Sequence, residues 1–202
     1  MNRTLLKNQA KEALAGNWTW AVGLTMLLTF LPGIISVLTY GLGGILSLFF
    51  FASAQMAFLN LLDKQKEENI FTAFFTAFRQ GRFMPVLISG ILQYIFLFCW
   101  TLLLIVPGLI KSYSYSMTNY IIEDLVAQGK DIEPTEAITK SRILMDGHKL
   151  DLFLLDLSFI GWALLSILTF GIGSLWLSPY IYTTRAAFYR ELAAAKPEVL
   201  GL

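Results

Sequence analysis

Charge is what this sequence has least of. Asp, Glu, Lys and Arg make up 14% of its 202 residues, against about 25% in an ordinary soluble domain. No charged residue occurs between Glu12 and Asp63, and none between Arg82 and Lys111. Each interval exceeds the roughly 20 apolar residues that cross a bilayer once. A soluble globular fold is thereby excluded. Thiols and imidazoles are equally scarce, with one cysteine, Cys99, and one histidine, His148. A single thiol cannot close an internal disulfide, and these two residues alone cannot make the common zinc sites. Cys99, in "LFCWTL", reads as a small buried apolar residue. A net charge of +1 offers no basic tract for nucleic acid. Nucleophile elbows, phosphate-binding glycine loops, HExxH, paired cysteines and EF-hand loops are absent as motifs. The chain therefore reads as a non-enzymatic protein with no implied cofactor or metal.

What is present is long apolar segments punctuated by glycine and proline. "TYGLGG", Thr39 to Gly44, divides the first interval, giving spans over about Trp18 to Leu38 and Gly44 to Leu62. Pro32-Gly33 suggests a kink in the first. A third span covers about Phe83 to Val106, and Pro107-Gly108 turns the chain. The fourth, from about Leu109, is hydroxyl-rich ("IKSYSYSMTNYII"). The fifth covers about Leu150 to Ile172, "GIGS" turns, and the sixth covers about Leu175 to Tyr189. Lys and Arg gather before span one, between spans two and three, between four and five, and after six. That excess marks the cytoplasmic side, so both termini are expected there. Lys111 is expected near the outer end of span four, snorkelling to headgroups. The N-terminal "MNRTLLKNQAKEALAGNW" is too polar for a signal peptide and reads as retained.

A repeat runs through this pattern. "ALAGNW", "FRQGRF" and "LMDGHK" each end a polar segment and open a span. Their glycines, Gly16, Gly81 and Gly147, recur at a step of about 65 residues. The units are about 1–65, 66–131 and 132–202. A candidate amphipathic helix precedes each glycine: Leu5, Leu6, Ala10, Ala13 and Leu14; then Phe71, Phe74, Phe75 and Phe78; then Ala137, Ile138, Ser141 and Leu144 after Pro134. Such helices lie in the interface or dock on the cytoplasmic ends of the spans. His148 falls at a joint, where the other units have Asn17 and Arg82, and reads as an interfacial polar residue beside a helix-ending glycine.

Polar groups inside a membrane are informative. In the repeat register, Gln55, Asn119 and Arg185 share one position. They are candidate cavity or ligand residues around a pseudo-threefold axis, or an interhelical hydrogen-bond cluster worth on the order of 1 kcal/mol per contact. Asp156 is a candidate ion-pair partner of Arg185.

The stretches "AKEALAGNW", "IVPGLIKSYSYSMTNYI", "SRILMDGHKLDLFLLDLSFIGW" and the "FY" at 188–189 resemble the bacterial integral membrane proteins grouped as domain of unknown function 975. That resemblance implies a bacterial membrane protein of Gram-positive type and no established activity. It extends distantly to the membrane domain attached to some glycerophosphodiester phosphodiesterases. Their catalytic domain is missing here, so no catalytic residue carries over.

The expected architecture is all-α and polytopic. Six transmembrane helices form three hairpins in pseudo-threefold repeat, each led by an amphipathic interfacial helix. The expected role is a multi-pass component of the bacterial plasma membrane, transporter-like or handling a lipid or small anion. One alternative is an accessory subunit that binds another membrane protein. Another is a lipid-modifying enzyme using the cytoplasmic-face carboxylates Glu123, Asp124 and Asp146.

Overall fold

A computed structural model describes residues 2–38, 43–79, 81–130 and 132–201. Among these the chain is helical throughout, without strands. The elements are α1 (Arg3–Leu14), α2 (Trp18–Leu38), α3 (Gly43–Leu62), α4 (Ile70–Phe74) with a 3-10 turn at Thr76–Phe78, and α5 (Phe83–Leu103). Then come α6 (Ile105–Tyr115), α7 (Thr118–Ala127), α8 (Pro134–Leu144), α9 (Lys149–Leu157), α10 (Ile160–Leu168), α11 (Ser174–Ala195) and α12 (Pro197–Leu200). They fall into two compact units. The first holds residues 1–78 and 155–188, the second 79–154 and 189–202. These units cut across the sequence periods 1–65, 66–131 and 132–202.

Among the described residues, three helical segments are long and apolar enough to cross a membrane: Trp18–Ile35, Phe83–Leu102 and Lys149–Leu168. They bury only 22%, 17% and 22% of their residues. Helices apolar all round yet so exposed need a nonpolar solvent, which makes this a membrane-associated protein. Each is the first arm of an expected hairpin. The return arms differ. Leu46–Leu62 is apolar but shorter, α6–α7 is interrupted and carries Lys111, Glu123 and Asp124, and α11 carries Arg185, Arg190 and Glu191. Their middles are buried instead: Ala52 to Leu59 without exception, Met117 to Glu123 except Asn119, and Thr183 to Phe188 except Arg185. In the first unit α2 packs on α3, and in the second α5 packs on α6.

The expected turns are partly relocated. Thr39–Leu42, most of "TYGLGG", lie outside the described residues. The second hairpin turns at Leu104, in extended conformation at φ −163°, ψ 141°, rather than at Pro107-Gly108. Pro107 instead occupies the first turn of α6, where its missing N–H costs nothing. Gly108 is a contact glycine: a Cβ there would lie 2.5 Å from Thr101 Oγ1 on α5. Helix α2 continues unbroken through Pro32. Cys99 lies on an exposed face of α5 rather than in a core, because α5 packs along one side only.

The lead helices dock. Leu6, Ala10 and Leu14 of α1 are buried, and α1 packs on α3. Ala137, Ile138, Ser141 and Leu144 of α8 are all buried, as their spacing predicts. The four-phenylalanine face is not one helical face. Phe74 is buried but Phe71 and Phe75 are exposed, because the helix stops at Phe74. Thr76 Oγ1 donates to the Ala73 carbonyl at 2.8 Å, and the Ala77 N–H that would have bonded there donates to Ser53 Oγ at 3.1 Å. A second helix is broken by the same device. Met117 N–H donates to Ser141 Oγ at 3.2 Å, and Ser141 Oγ donates to the Ser114 carbonyl at 2.8 Å. A side chain inserted into the backbone ladder separates α6 from α7. In both cases a lead helix packs on the hairpin that precedes it in the chain: α4 and its 3-10 turn on α2–α3, α8 on α5–α7.

Candidate functional site

Three arginines are each bound by a carboxylate through two hydrogen bonds, the strong form of ion pair. In the first unit, Arg185 of α11 donates to Asp156 of α9 at 3.0 and 2.7 Å. In the second unit, Arg82 donates to Glu123 of α7 at 2.5 and 2.9 Å, with Glu123 only 5% exposed. Beside it Arg190 donates to Asp124 at 2.6 and 2.8 Å, and the Tyr189 hydroxyl adds a third bond to Asp124 at 2.6 Å. The Tyr189 ring stacks on Tyr120, centroids 5.4 Å apart. Glu123, Asp124 and Asp156 are thus ion-paired.

The three glycines of the joints, Gly16, Gly81 and Gly147, have φ of +77°, +84° and +83°. This left-handed conformation ends a helix and suits glycine. At Gly81 an added Cβ would also touch the Val126 side chain, at 3.4 Å. The polar residues that follow these glycines have different partners. Asn17 Nδ2 donates to the Ala13 carbonyl at 3.0 Å, Arg82 binds Glu123, and His148 Nδ1 lies 3.1 Å from Asp151 Oδ2. His148 and Asp151 are each about one-third exposed.

Of the residues sharing one repeat position, Gln55 is buried in the first unit, Arg185 is held by Asp156 in the same unit, and Asn119 is half-buried in the second. None of the three is without a partner. Among the described residues, no group of three or more His, Cys, Asp or Glu could hold a metal ion. In the first unit, Lys7 Nζ lies 4.5 Å from the centroid of the Phe159 ring. Burial, then the neighbouring Arg3 and Lys11, hold its amine below the usual lysine range.

The second unit contains a cleft of about 600 Å³ that sequence reasoning missed. Lys111 and Ser114 of α6 line it with Thr139, Arg142 and Ile143 of α8, then Asp146, Lys149, Lys196, Glu198 and Val199. Lys111 therefore shares a cleft with Arg142 and Lys149 and does not stand apart from the basic joints. Its Nζ lies 4.7 Å from the Trp100 ring centroid. The cations come from three separate stretches, and only folding brings them together. The one signal in the sequence is Lys111 itself, the charge that ends the second uncharged interval.

These features define a class: an α-helical, membrane-associated protein with exposed apolar helices, arginine–carboxylate pairs and a basic cleft. Residues 101–196 match the model of the family described as Protein of unknown function (DUF975), which supports membership of that family. The match takes in the four cations of the cleft and the third expected hairpin. No curated protein and no solved structure matches the chain.

Proposed function

We propose that this chain is a multi-pass membrane protein that acts by binding rather than by covalent chemistry, as a lipid- or anion-handling component of the bacterial cell membrane. The observation that carries this reading is the distribution of charge. Of the carboxylates a carboxylate-based enzyme would use, Glu123 and Asp124 are each bound by an arginine, as is Asp156, while Asp146 lines the cleft among its cations. Surplus cations gather in one cleft instead. An anion, not an electrophile, is the ligand such a surface favours.

In this proposal six helical segments form three hairpins in the membrane, and both termini and the basic joints lie on the cytoplasmic side. Support for the repeat comes from the left-handed glycines at all three joints and from burial at matching positions of the three return arms. It comes also from the two serine bonds, each joining residues 24 apart, Ser53 with Ala77 and Met117 with Ser141. Gln55, Asn119 and Arg185 act as packing polar groups, each modest in strength. Native mass spectrometry of the protein gently extracted from its own membrane tests the role. A co-purifying anionic lipid or small anion is expected. A stoichiometric protein partner with no small ligand would make the chain an accessory subunit instead.

A further inference from the structure

Four cations, Lys111, Arg142, Lys149 and Lys196, line the cleft in the second unit against two carboxylates, Asp146 and Glu198. Lys196 already serves the backbone, donating to the carbonyls of Ile143 and Asp146 at 3.1 and 3.4 Å. It thereby caps the end of α8 and offsets the negative pole of that helix. The other three converge from different elements: Lys111 from α6, Arg142 from the last turn of α8, Lys149 from the first turn of α9. Cations arriving from several directions on one concavity focus a positive potential. They also suit an oxyanion with several acceptor oxygens, which an arginine fork and lysine point charges can share.

Part of the cleft lining is apolar. Ile143, 48% exposed, and Val199 stand beside the cations. The Trp100 ring, its centroid 4.7 Å from the Lys111 Nζ, holds that amine by a cation–π contact. A ligand with a charged head and an apolar body meets both parts at once. The cleft volume of about 600 Å³ admits a headgroup larger than a bare ion.

We propose that this cleft binds the phosphate of an anionic phospholipid headgroup, with Arg142, Lys149 and Lys111 as its ligands. The inference deepens the anion-handling reading above and rests on it. A soluble phosphate ester presents the same oxyanion, and the exposed apolar helices that place this chain among lipids are what favour the lipid.

The test is native mass spectrometry of the full chain in a neutral detergent, titrated with short-chain phosphatidylglycerol, short-chain phosphatidylcholine or glycerol 3-phosphate. Phosphatidylglycerol is expected to bind and phosphatidylcholine to bind much less. The double variant R142Q/K149Q weakens phosphatidylglycerol binding by about tenfold or more, a loss of roughly 1.4 kcal/mol. K140Q, which removes a charge paired with Glu136 away from the cleft, leaves binding unchanged. K111M gives a second, single-site reading should the double variant fail to fold. If glycerol 3-phosphate binds alone and loses affinity in the same variants, the lipid assignment is overturned in favour of a free phosphate ester. Phosphatidylglycerol bound undiminished by R142Q/K149Q and K111M would overturn the cleft while leaving an anion-binding protein. No preference for phosphatidylglycerol and no binding of glycerol 3-phosphate by the unaltered chain would overturn both readings.

Discussion

Ser141 of α8 stands between Met117 and Ser114, accepting from the amide of one and donating to the carbonyl of the other. A single hydroxyl thus closes the gap in the backbone ladder between α6 and α7 and ties α8 to the hairpin before it. Ser141 is fully buried, so water cannot replace it without rearrangement. Ser141→Ala leaves a buried donor and a buried acceptor unmatched, at about 1–3 kcal/mol each before relaxation. A clear fall in the thermal midpoint of the detergent-solubilised protein is expected. Ser53→Ala, which frees the Ala77 amide alone, costs less. Equal midpoints for S141A and the unaltered chain would show that the hydroxyl does not hold the break.

Asp124 is the acceptor for three hydrogen bonds, two from Arg190 and one from Tyr189. Asp124→Asn, Arg190→Gln and the double variant form a thermodynamic cycle. Because the pair is bidentate and only partly exposed, a coupling of about 0.5–3 kcal/mol is expected. Asp124→Asn is the more damaging single change, since it also weakens the bond to Tyr189. Additive losses would mean that the pair contributes nothing beyond its separate solvation.

The glycines at the joints differ in a way that separates conformation from crowding. Gly16, Gly81 and Gly147 all have left-handed backbone, so alanine costs about 1–2 kcal/mol at each. Nothing lies within 4 Å of a Cβ at Gly16 or Gly147, whereas Val126 is 3.4 Å away at Gly81. Asparagine, which tolerates this conformation, should therefore rescue positions 16 and 147 but not 81. Full rescue at Gly81 in chemical denaturation would contradict the packing argument.

Much of this fold is legible in the residues because its signals are local. The starts of α2 and α5 follow from where charge stops and the end of α2 from the glycines beyond it, and the burial of Ala137, Ile138, Ser141 and Leu144 follows from their spacing. The misses are all tertiary. Phe71, Phe74, Phe75 and Phe78 have perfect helical spacing, yet Ser53 on another helix takes the amide that would have continued the helix. Pro107-Gly108 looks like a turn, and only the approach of Thr101 reveals Gly108 as a contact. The pairing of Asp156 with Arg185 could be anticipated from their depths along a hairpin. The cleft could not, since Lys111 and Lys196 lie in unrelated stretches of sequence. Periodicity reports which face of a helix is apolar; it does not report which distant side chain will meet that face.

The central claim, that three hairpins cross the membrane with the basic joints on the cytoplasmic side, is tested most directly by sided labelling of single cysteines. The background is Cys99→Ser, with single cysteines at Asn17, Lys66 and His148 near the joints, and at Val37, Val106 and Ile172 near the hairpin tips. Val37, Val106 and Ile172 are 81%, 64% and 60% exposed, so the fold itself does not shield them. In intact cells a membrane-impermeant maleimide should label the tip positions and spare the joints, and in inverted vesicles it should do the reverse. Tips that react from the cytoplasmic side, or from neither side while the joints remain accessible, would contradict the account, because the hairpins would then enter the bilayer without crossing it.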